Sequence, residues 1–424
     1  MLKNLIKKLN QWSAYWLPTV IIGLFAIALW RLMPKKRTLP EQSRILVLMI
    51  EHLGDIVVST PFLKALRETE TAAKITVVVS KGPAQFLEHC PYIDHLIIAE
   101  PATGWLSRLA RAFVIARRLR PLTVATAIVP KDAPNYDFNE LICLLSGAQT
   151  RISRVRPQPI YRIKPLKFFP FYTKIVVHHE VRHEAEHRLE LIQNSAGFDT
   201  HEAVLSAWLT SEDFDFANRF ISQNAISKSA PLIAIGIGAS AAGRQWPLEN
   251  YAQVIETLGK EFGVGVVLII GPSELHLAQR MAMLTRHPIH FTPHASVRQS
   301  TALIGKSSLF IGNDSGPMHL AASVGTPIIE ISGHSMGASA WSINSPERFG
   351  PLGVTHKILR PARVSTKCSN GCVYGHEPHC IKRIDPSLVV EAARELLSNR
   401  IKQNSRRQHT HKTHFSPLIA TQSK

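Results

Sequence analysis

Acidic side chains are missing from both ends of the chain. Residues 1–37 hold seven basic residues (Lys3, Lys7, Lys8, Arg31, Lys35, Lys36, Arg37) and no Asp or Glu. Residues 401–424 hold five more (Lys402, Arg406, Arg407, Lys412, Lys424), again with no acid. The ends thus supply twelve charges of the formal net +18, and the middle of the 424-residue chain is only mildly basic. A domain built around a nucleic-acid groove would carry its charge in the folded middle. No nucleic-acid partner is therefore expected, and the basic ends point to an anionic surface. Cysteine is scarce too. Five thiols do not make a disulfide framework at this length, which places the body in a reducing compartment. No short-period repeat is visible. With 45% apolar and 19% charged residues, wholesale disorder is excluded, and the length suits two domains of about 150–200 residues.

Long uncharged runs are confined to one place, Leu9 to Trp30. Its most apolar part, Trp16 to Trp30, has tryptophan at both edges and basic residues beyond, as a bilayer span requires. No small-residue cleavage pattern precedes the cluster from Pro34 to Arg37, which disfavours a signal peptide. Pro18 and Thr19 shorten the apolar stretch and leave an interfacial anchor open. Residues 1–40 are expected to be a membrane-anchor segment with an N-terminal hydrophobic helix, and 401–424 a basic, disordered tail.

Between the ends, short apolar runs alternate with helical patterns. Arg44–Ile50, Ile75–Val79, Leu96–Ala99 and Val124–Val129 read as buried strands, with helices over Trp105–Leu119 and Phe138–Leu145. The pattern restarts at Leu232–Gly238, with strands at Val264–Ile270, Leu309–Gly312 and Pro327–Ile331, after a polar connector around Ser211–Ser229. A last helix runs from Asp385-Pro386 through Leu397. Strand–helix alternation implies parallel α/β sheets, here two Rossmann-like domains, 41–210 and 211–400. Two such halves facing each other leave a cleft at the carboxyl ends of their strands.

Four motifs fall where such strands end. Leu53-Gly54-Asp55 follows the first strand; Asp55 is either an N-cap or a base for a substrate hydroxyl. The small-residue loop from Gly238 to Pro247 holds Ser240 and Arg244 and suits an anionic group. Glu274, in Gly271-Pro-Ser-Glu274, either stabilises a helix start or reads a ribose diol. The segment Ile311 to Ala322 places Asp314, Ser315, Gly316 and His319 at a strand-to-helix turn. Its helix N-terminus would present N–H groups to a diphosphate; the plainer reading is helix capping by Asp314 or Ser315 and a packed histidine.

In this order the motifs resemble glycosyltransferase family 9, whose best-known members are ADP-heptose:lipopolysaccharide heptosyltransferases. The carrying residues are Leu53-Gly54-Asp55 with Thr60-Pro61, Gly238-Ala239-Ser240 with Trp246-Pro247, Gly271-Pro272 with Glu274, and Asp314 to Ala322 with Gly325 and Pro327. The resemblance spans roughly Arg44 to Leu397. It implies a GT-B fold and metal-independent inversion at the anomeric carbon. It makes Asp55 the general base, with Gly54 in the acceptor loop. Ser240, Arg244, Glu274, Asp314, Ser315, Gly316 and His319 become donor-binding residues. Arg244 stands where members commonly carry lysine, Ser315 where threonine is usual, and Glu51 adds an acid beside Asp55.

The implied function is transfer of a heptose or related sugar from an ADP-sugar, as substrate rather than cofactor, to a lipid-linked lipopolysaccharide core acceptor. The donor's cytosolic origin places the catalytic domains on the cytoplasmic side of the inner membrane. Another nucleotide sugar, or a catalytically silent envelope-assembly protein, remains an alternative. Cys368, Cys372, His376 and Cys380 have a weaker zinc-like spacing that also resembles a cysteine-bearing segment of the family.

Overall fold

The computed structural model describes residues 42–132, 137–155, 171–196, 202–342, 344–362 and 380–412, without the side chains of 193–196 and 400–412. The anchor expected over residues 1–40 lies outside the described residues, as do Cys368, Cys372 and His376. Among the described residues, no helix is long and apolar enough to cross a membrane. The chain divides into two units, Met1–Val204 and Leu205–Lys424.

The first unit runs β1 (Arg44–Met49), α1 (Leu53–Val58), α2 (Thr60–Thr69), β2 (Lys74–Ser80), α3 (Lys81–Leu87), β3 (His95–Ala99) and α4 (Gly104–Leu119). It continues with β4 (Thr126–Asp132), α5 (Asn139–Leu145), β5 (Thr150–Val155), β6 (Lys174–Val177) and α6 (Glu184–Ala196). The strands pair in parallel in the order β3-β2-β1-β4-β5-β6. Five consecutive residues of β1, Ile45 to Met49, are buried, because helices cover both faces of a parallel sheet.

The second unit runs α7 (Ser211–Gln223), β7 (Leu232–Gly236), α8 (Leu248–Phe262), β8 (Gly265–Leu268), α9 (Leu275–Leu284), β9 (Ile289–Phe291) and α10 (Val297–Lys306). There follow β10 (Leu309–Asn313), α11 (Gly316–Ser323), β11 (Ile328–Ile331), α12 (Pro346–Phe349), β12 (His356–Leu359) and α13 (Pro386–Lys412). Its parallel sheet has the order β12-β11-β10-β7-β8-β9. Counted from each unit's first strand, the two sheets share the order 3-2-1-4-5-6. In a sheet of this order the winding reverses between strands one and four, which opens a crevice at their carboxyl ends. That topology selects the loops after β1 and β4 in one unit, and after β7 and β10 in the other.

Two expectations change. The polar connector at Ser211–Ser229 is mostly helix α7. Thr210 N–H and Oγ1 both donate to Asp213 Oδ2, at 2.9 and 3.0 Å, while Ala217 and Phe220 turn into the core. Its start signal was a capping box built on Asp rather than Glu. The tail expected to be disordered from residue 401 is helical through Lys412, since no Gly or Pro interrupts the chain between Pro386 and Pro417. Helix α13 packs on its own unit: Val389, Val390, Ala393, Leu396 and Leu397 join the core beside Val254, Ile255 and Leu258 of α8.

Among the described cysteines, Cys90, Cys143 and Cys380 are buried. Burial pushes the Cys90 thiol up to about 12, so it is an inert core residue.

Candidate active site

In the first unit, Asp55 sits in the first turn of α1, two residues past the chain's exit from the β1 loop. It is not a helix cap. The N-cap position is His52, and it makes no side-chain capping bond. The Asp55 carboxylate instead meets two cations. Arg188 Nη2 lies 3.2 Å from Oδ1, and Lys131 Nζ lies 3.6 Å from Oδ2. Lys131 belongs to β4, so the strand-one and strand-four ends converge here as the topology requires. Burial alone would lower the Lys131 ammonium, but the charges of Asp55 and Glu51 hold it above its usual value.

Arg188 was not visible as a site residue in the sequence. It lies on α6, which turns Glu184, His187, Arg188 and Leu191 inward at helical spacing. Its side chain is 1% exposed and gathers the whole β1–α1 turn. Nη1 donates to Asp55 O at 2.8 Å and to Ser59 Oγ; Nη2 donates to Glu51 Oε2 at 2.9 Å. Glu51 is therefore a buried partner of the arginine rather than a solvent-facing acid. The contact joins residues 133 positions apart, and a polar helix face carries no apolar period to announce it.

In the second unit, the loops after β7 and β10 come together. Arg244 Nη2 donates to Ser240 Oγ at 2.8 Å, and Nη1 lies 3.2 Å from Asp314 Oδ2. Arg244 is partly exposed, so its charge can reach an incoming anion. Asn313, unnoticed in the sequence, braces both loops. Its Nδ2 donates to Ile237 O and Gly238 O, and its Oδ1 accepts from Trp246 N and Tyr251 Oη. Ser315 heads α11 with Pro317 in the first turn, but its hydroxyl donates to Asn313 O and caps no N–H. Gly316 opens that helix and His319 is buried on it.

Glu274 touches the same loop. Its Oε2 accepts from Gly271 N at 2.9 Å, and its Oε1 stands where a Cβ on Gly238 would fall, 1.7 Å away. A glycine at 238 leaves room for the Glu274 carboxylate. A second acid, Glu330 on β11, is buried; burial, with the Asp314 charge, pushes its carboxyl well above the usual range. A lone Glu in the run Pro327 to Ile331 was its sequence signal.

Among the described residues, His178, His187 and Glu190 form the one group with metal-ligand chemistry, their ligand atoms within 4.8 Å of one another. The imidazoles stack at 4.3 Å, and His178 Nδ1 meets Glu190 Oε2 at 2.5 Å. Two ligands of one tetrahedral ion stand about 3.3 Å apart, so as placed this is a hydrogen-bonded pair. Burial holds both imidazoles below the usual value of 6.5, with the charge of Arg154 lowering them further. Below about pH 6.5 these two groups bind more protons in the unfolded chain than in the folded one, so their contribution to stability falls as pH falls. Between pH 7.5 and 5.5 the difference in urea midpoint between the unsubstituted chain and His178→Gln should therefore move in the variant's favour as pH falls; a difference that stays constant would refute this assignment.

The family model described as glycosyltransferase family 9 (heptosyltransferase) matches residues 165–376, half of the chain. Lipopolysaccharide core heptosyltransferase OpsX of Haemophilus influenzae is 31% identical over 128 residues, 28% of this chain and 34% of that protein. The chain thus spans about a third of that relative's length. Two solved structures share the fold. A glycosyl transferase family 9 protein from Veillonella parvula superposes with a TM-score of 0.70 at 24% identity, covering 85% of this chain and all of that one. ADP-heptose lps heptosyltransferase II of Escherichia coli gives 0.64 at 19% identity, covering 84% and 99%.

Proposed function

Because the chain belongs to glycosyltransferase family 9, described as heptosyltransferases, we propose that it transfers a heptose or related sugar from a nucleoside-diphosphate donor to a lipopolysaccharide-type acceptor. ADP-heptose is the first donor to try, from the name of the E. coli structure above; the acceptor class follows the name of the H. influenzae relative. The observation that carries the reading is the chemistry at the two sheet reversals. One holds a carboxylate clamped by Arg188 and Lys131, and the other an arginine fixed by Asp314 and Ser240.

The residues divide the labour. Asp55 takes the proton of the acceptor hydroxyl, whose pKa is too high for attack unaided. The oxygen then forms its bond to the anomeric carbon while the bond from that carbon to the diphosphate oxygen breaks, which inverts the centre in one displacement. The electron pair leaves with the diphosphate. Arg244 and the N-terminus of α11 meet that growing negative charge with a fixed cation and oriented N–H groups. Glu274 takes the ribose, and Gly238 keeps the loop close to it. Charge stabilisation of this kind needs no resident ion, so turnover should persist in excess chelator; loss restored by one added metal would overturn that part.

Gly238→Ala probes the donor loop. The added methyl drives the Glu274 carboxylate off Gly271 N, and because it displaces only a flexible side-chain end, the fold should hold. We expect an unchanged unfolding midpoint and a donor KM raised about tenfold, one bond to a charged group being worth about 1.5 kcal/mol. An unaltered KM would remove Glu274 from donor binding.

The decisive experiment follows nucleotide release from ADP-heptose with and without acceptor lipid. Release only with acceptor is the expected result. Binding without turnover would mean a silent envelope-assembly protein, and donor consumption without acceptor would exclude transfer. We place the two units on the cytoplasmic side of the inner membrane, where nucleotide sugars are made, attached through residues 1–40.

A further inference from the structure

Helix α4 is amphipathic in an unusual sense: its solvent face is also apolar. Ala112, Ile115, Ala116 and Leu119 face inward and pack into the core. On the outside, Trp105 is 51% exposed, Leu106 64%, Phe113 37% and Val114 52%. At 100° per residue, Leu106, Phe113 and Val114 share one outer arc with Ala110 and Arg117, whereas Trp105 lies on the azimuth of Ala112 and Ala116 and is exposed in the first turn. Three large apolar side chains on one exposed arc, with a tryptophan exposed at the start of the same helix, form a patch, not scattered surface residues. Ile98 on the adjacent strand β3 is exposed beside them in sequence.

The charge on this helix has one sign. Its sixteen residues contain Arg108, Arg111, Arg117 and Arg118 and no acid. Arg111 is engaged by Asp137 at 2.6 Å, whereas Arg117 and Arg118 lie exposed in the last turn. An apolar face with tryptophan and phenylalanine, bordered by arginines, matches a bilayer interface in which rings enter the headgroup boundary and cations meet lipid phosphates. A second copy of the chain fits worse. Pairing the face with itself would set arginine against arginine with no acid to relieve them.

We propose that the outer face of α4 is a docking surface for an anionic lipid bilayer, a contact additional to any made by residues 1–40 and independent of which sugar is transferred. Its test uses the full chain, so the readout must be local. Leu106→Cys and Val114→Cys each receive an environment-sensitive fluorophore. Glu68→Cys on α2 serves as an exposed control, and the unsubstituted chain as the labelling background.

With vesicles containing phosphatidylglycerol, the labels at positions 106 and 114 should shift to the blue, while the control stays unchanged. Pure phosphatidylcholine or high salt should weaken the shift. Combining Arg117→Gln with Arg118→Gln should weaken the lipid titration roughly thirtyfold, at about 1 kcal/mol per cation. These surface changes should leave the unfolding midpoint in place. Labels that stay water-exposed while the chain floats with the vesicles would overturn the proposal. A blue shift appearing without lipid as protein concentration rises would replace it with self-association.

Discussion

Asp55→Ala should abolish sugar transfer and leave donor affinity within a few-fold. Its carboxylate is the proposed acceptor base, and a positioned base contributes roughly 10²- to 10⁴-fold to such a step. The donor contacts proposed above are other residues, Arg244, Asp314 and Glu274, so binding has no reason to follow the loss. Alanine also removes one anion from the neighbourhood of Arg188 and Lys131. Glu51 still neutralises the arginine, which keeps the cost in stability modest. Asp55→Asn separates the two effects: it retains the shape and a hydrogen-bond acceptor for Arg188 but cannot take up a proton. Both variants should release nucleotide at the background rate in the acceptor-dependent assay, with donor affinity read by calorimetry. Turnover retained in Asp55→Asn would take the base role away from this residue.

Arg188→Ala should be strongly damaging to the first unit. The guanidinium is buried against Glu51, itself 0% exposed in its side chain, and against Asp55. Removing one member of a buried ion pair leaves an uncompensated charge, which costs about 3–5 kcal/mol. Arg188→Lys should recover part of that stability, since a positive charge returns. It should not recover turnover, because one ammonium cannot hold Asp55, Glu51 and Ser59 together as the planar fork does. The matched change of Arg188→Met with Glu51→Gln removes both charges and should restore the unfolding midpoint without restoring kcat. If Arg188→Ala unfolds at the wild-type denaturant concentration, this clamp contributes nothing and the account of the site must change. A kcat intact in Arg188→Lys would show instead that charge alone suffices.

Much of the loop cluster in the second unit was legible in the sequence. Ser240, Arg244, Glu274 and Asp314 each follow a buried apolar run, and the end of a parallel strand is where a ligand-facing loop must start. Gly238 could be singled out as a small residue in such a loop, though not as one held small by Glu274. Asp55 was legible in the same way, yet its partners were not. Lys131 lies one residue before the end of a strand that reads as ending at Val129, and Arg188 lies on a helix whose buried residues mix Glu184, His187 and Arg188 with Ala185, Leu189, Leu191 and Ile192. Hydrophobic periodicity detects what water expels, and a buried salt-bridge network is silent to it. Strands β5, β6, β9 and β12 escaped for a related reason: they are short, lie toward the sheet edges and carry Arg, Lys or His beside at most three consecutive apolar residues.

By itself the amino-acid order determined the elements that depend on near neighbours: the apolar strands, the glycine turns after them and the motif order that marks the family. The tertiary structure alone decided which of those loops share a sheet reversal, that Glu51 and Asp55 divide a single arginine, and that helix α4 keeps four large apolar side chains in water. Those outcomes depend on strand order and on contacts between residues far apart in the chain, and a local pattern carries no information about either.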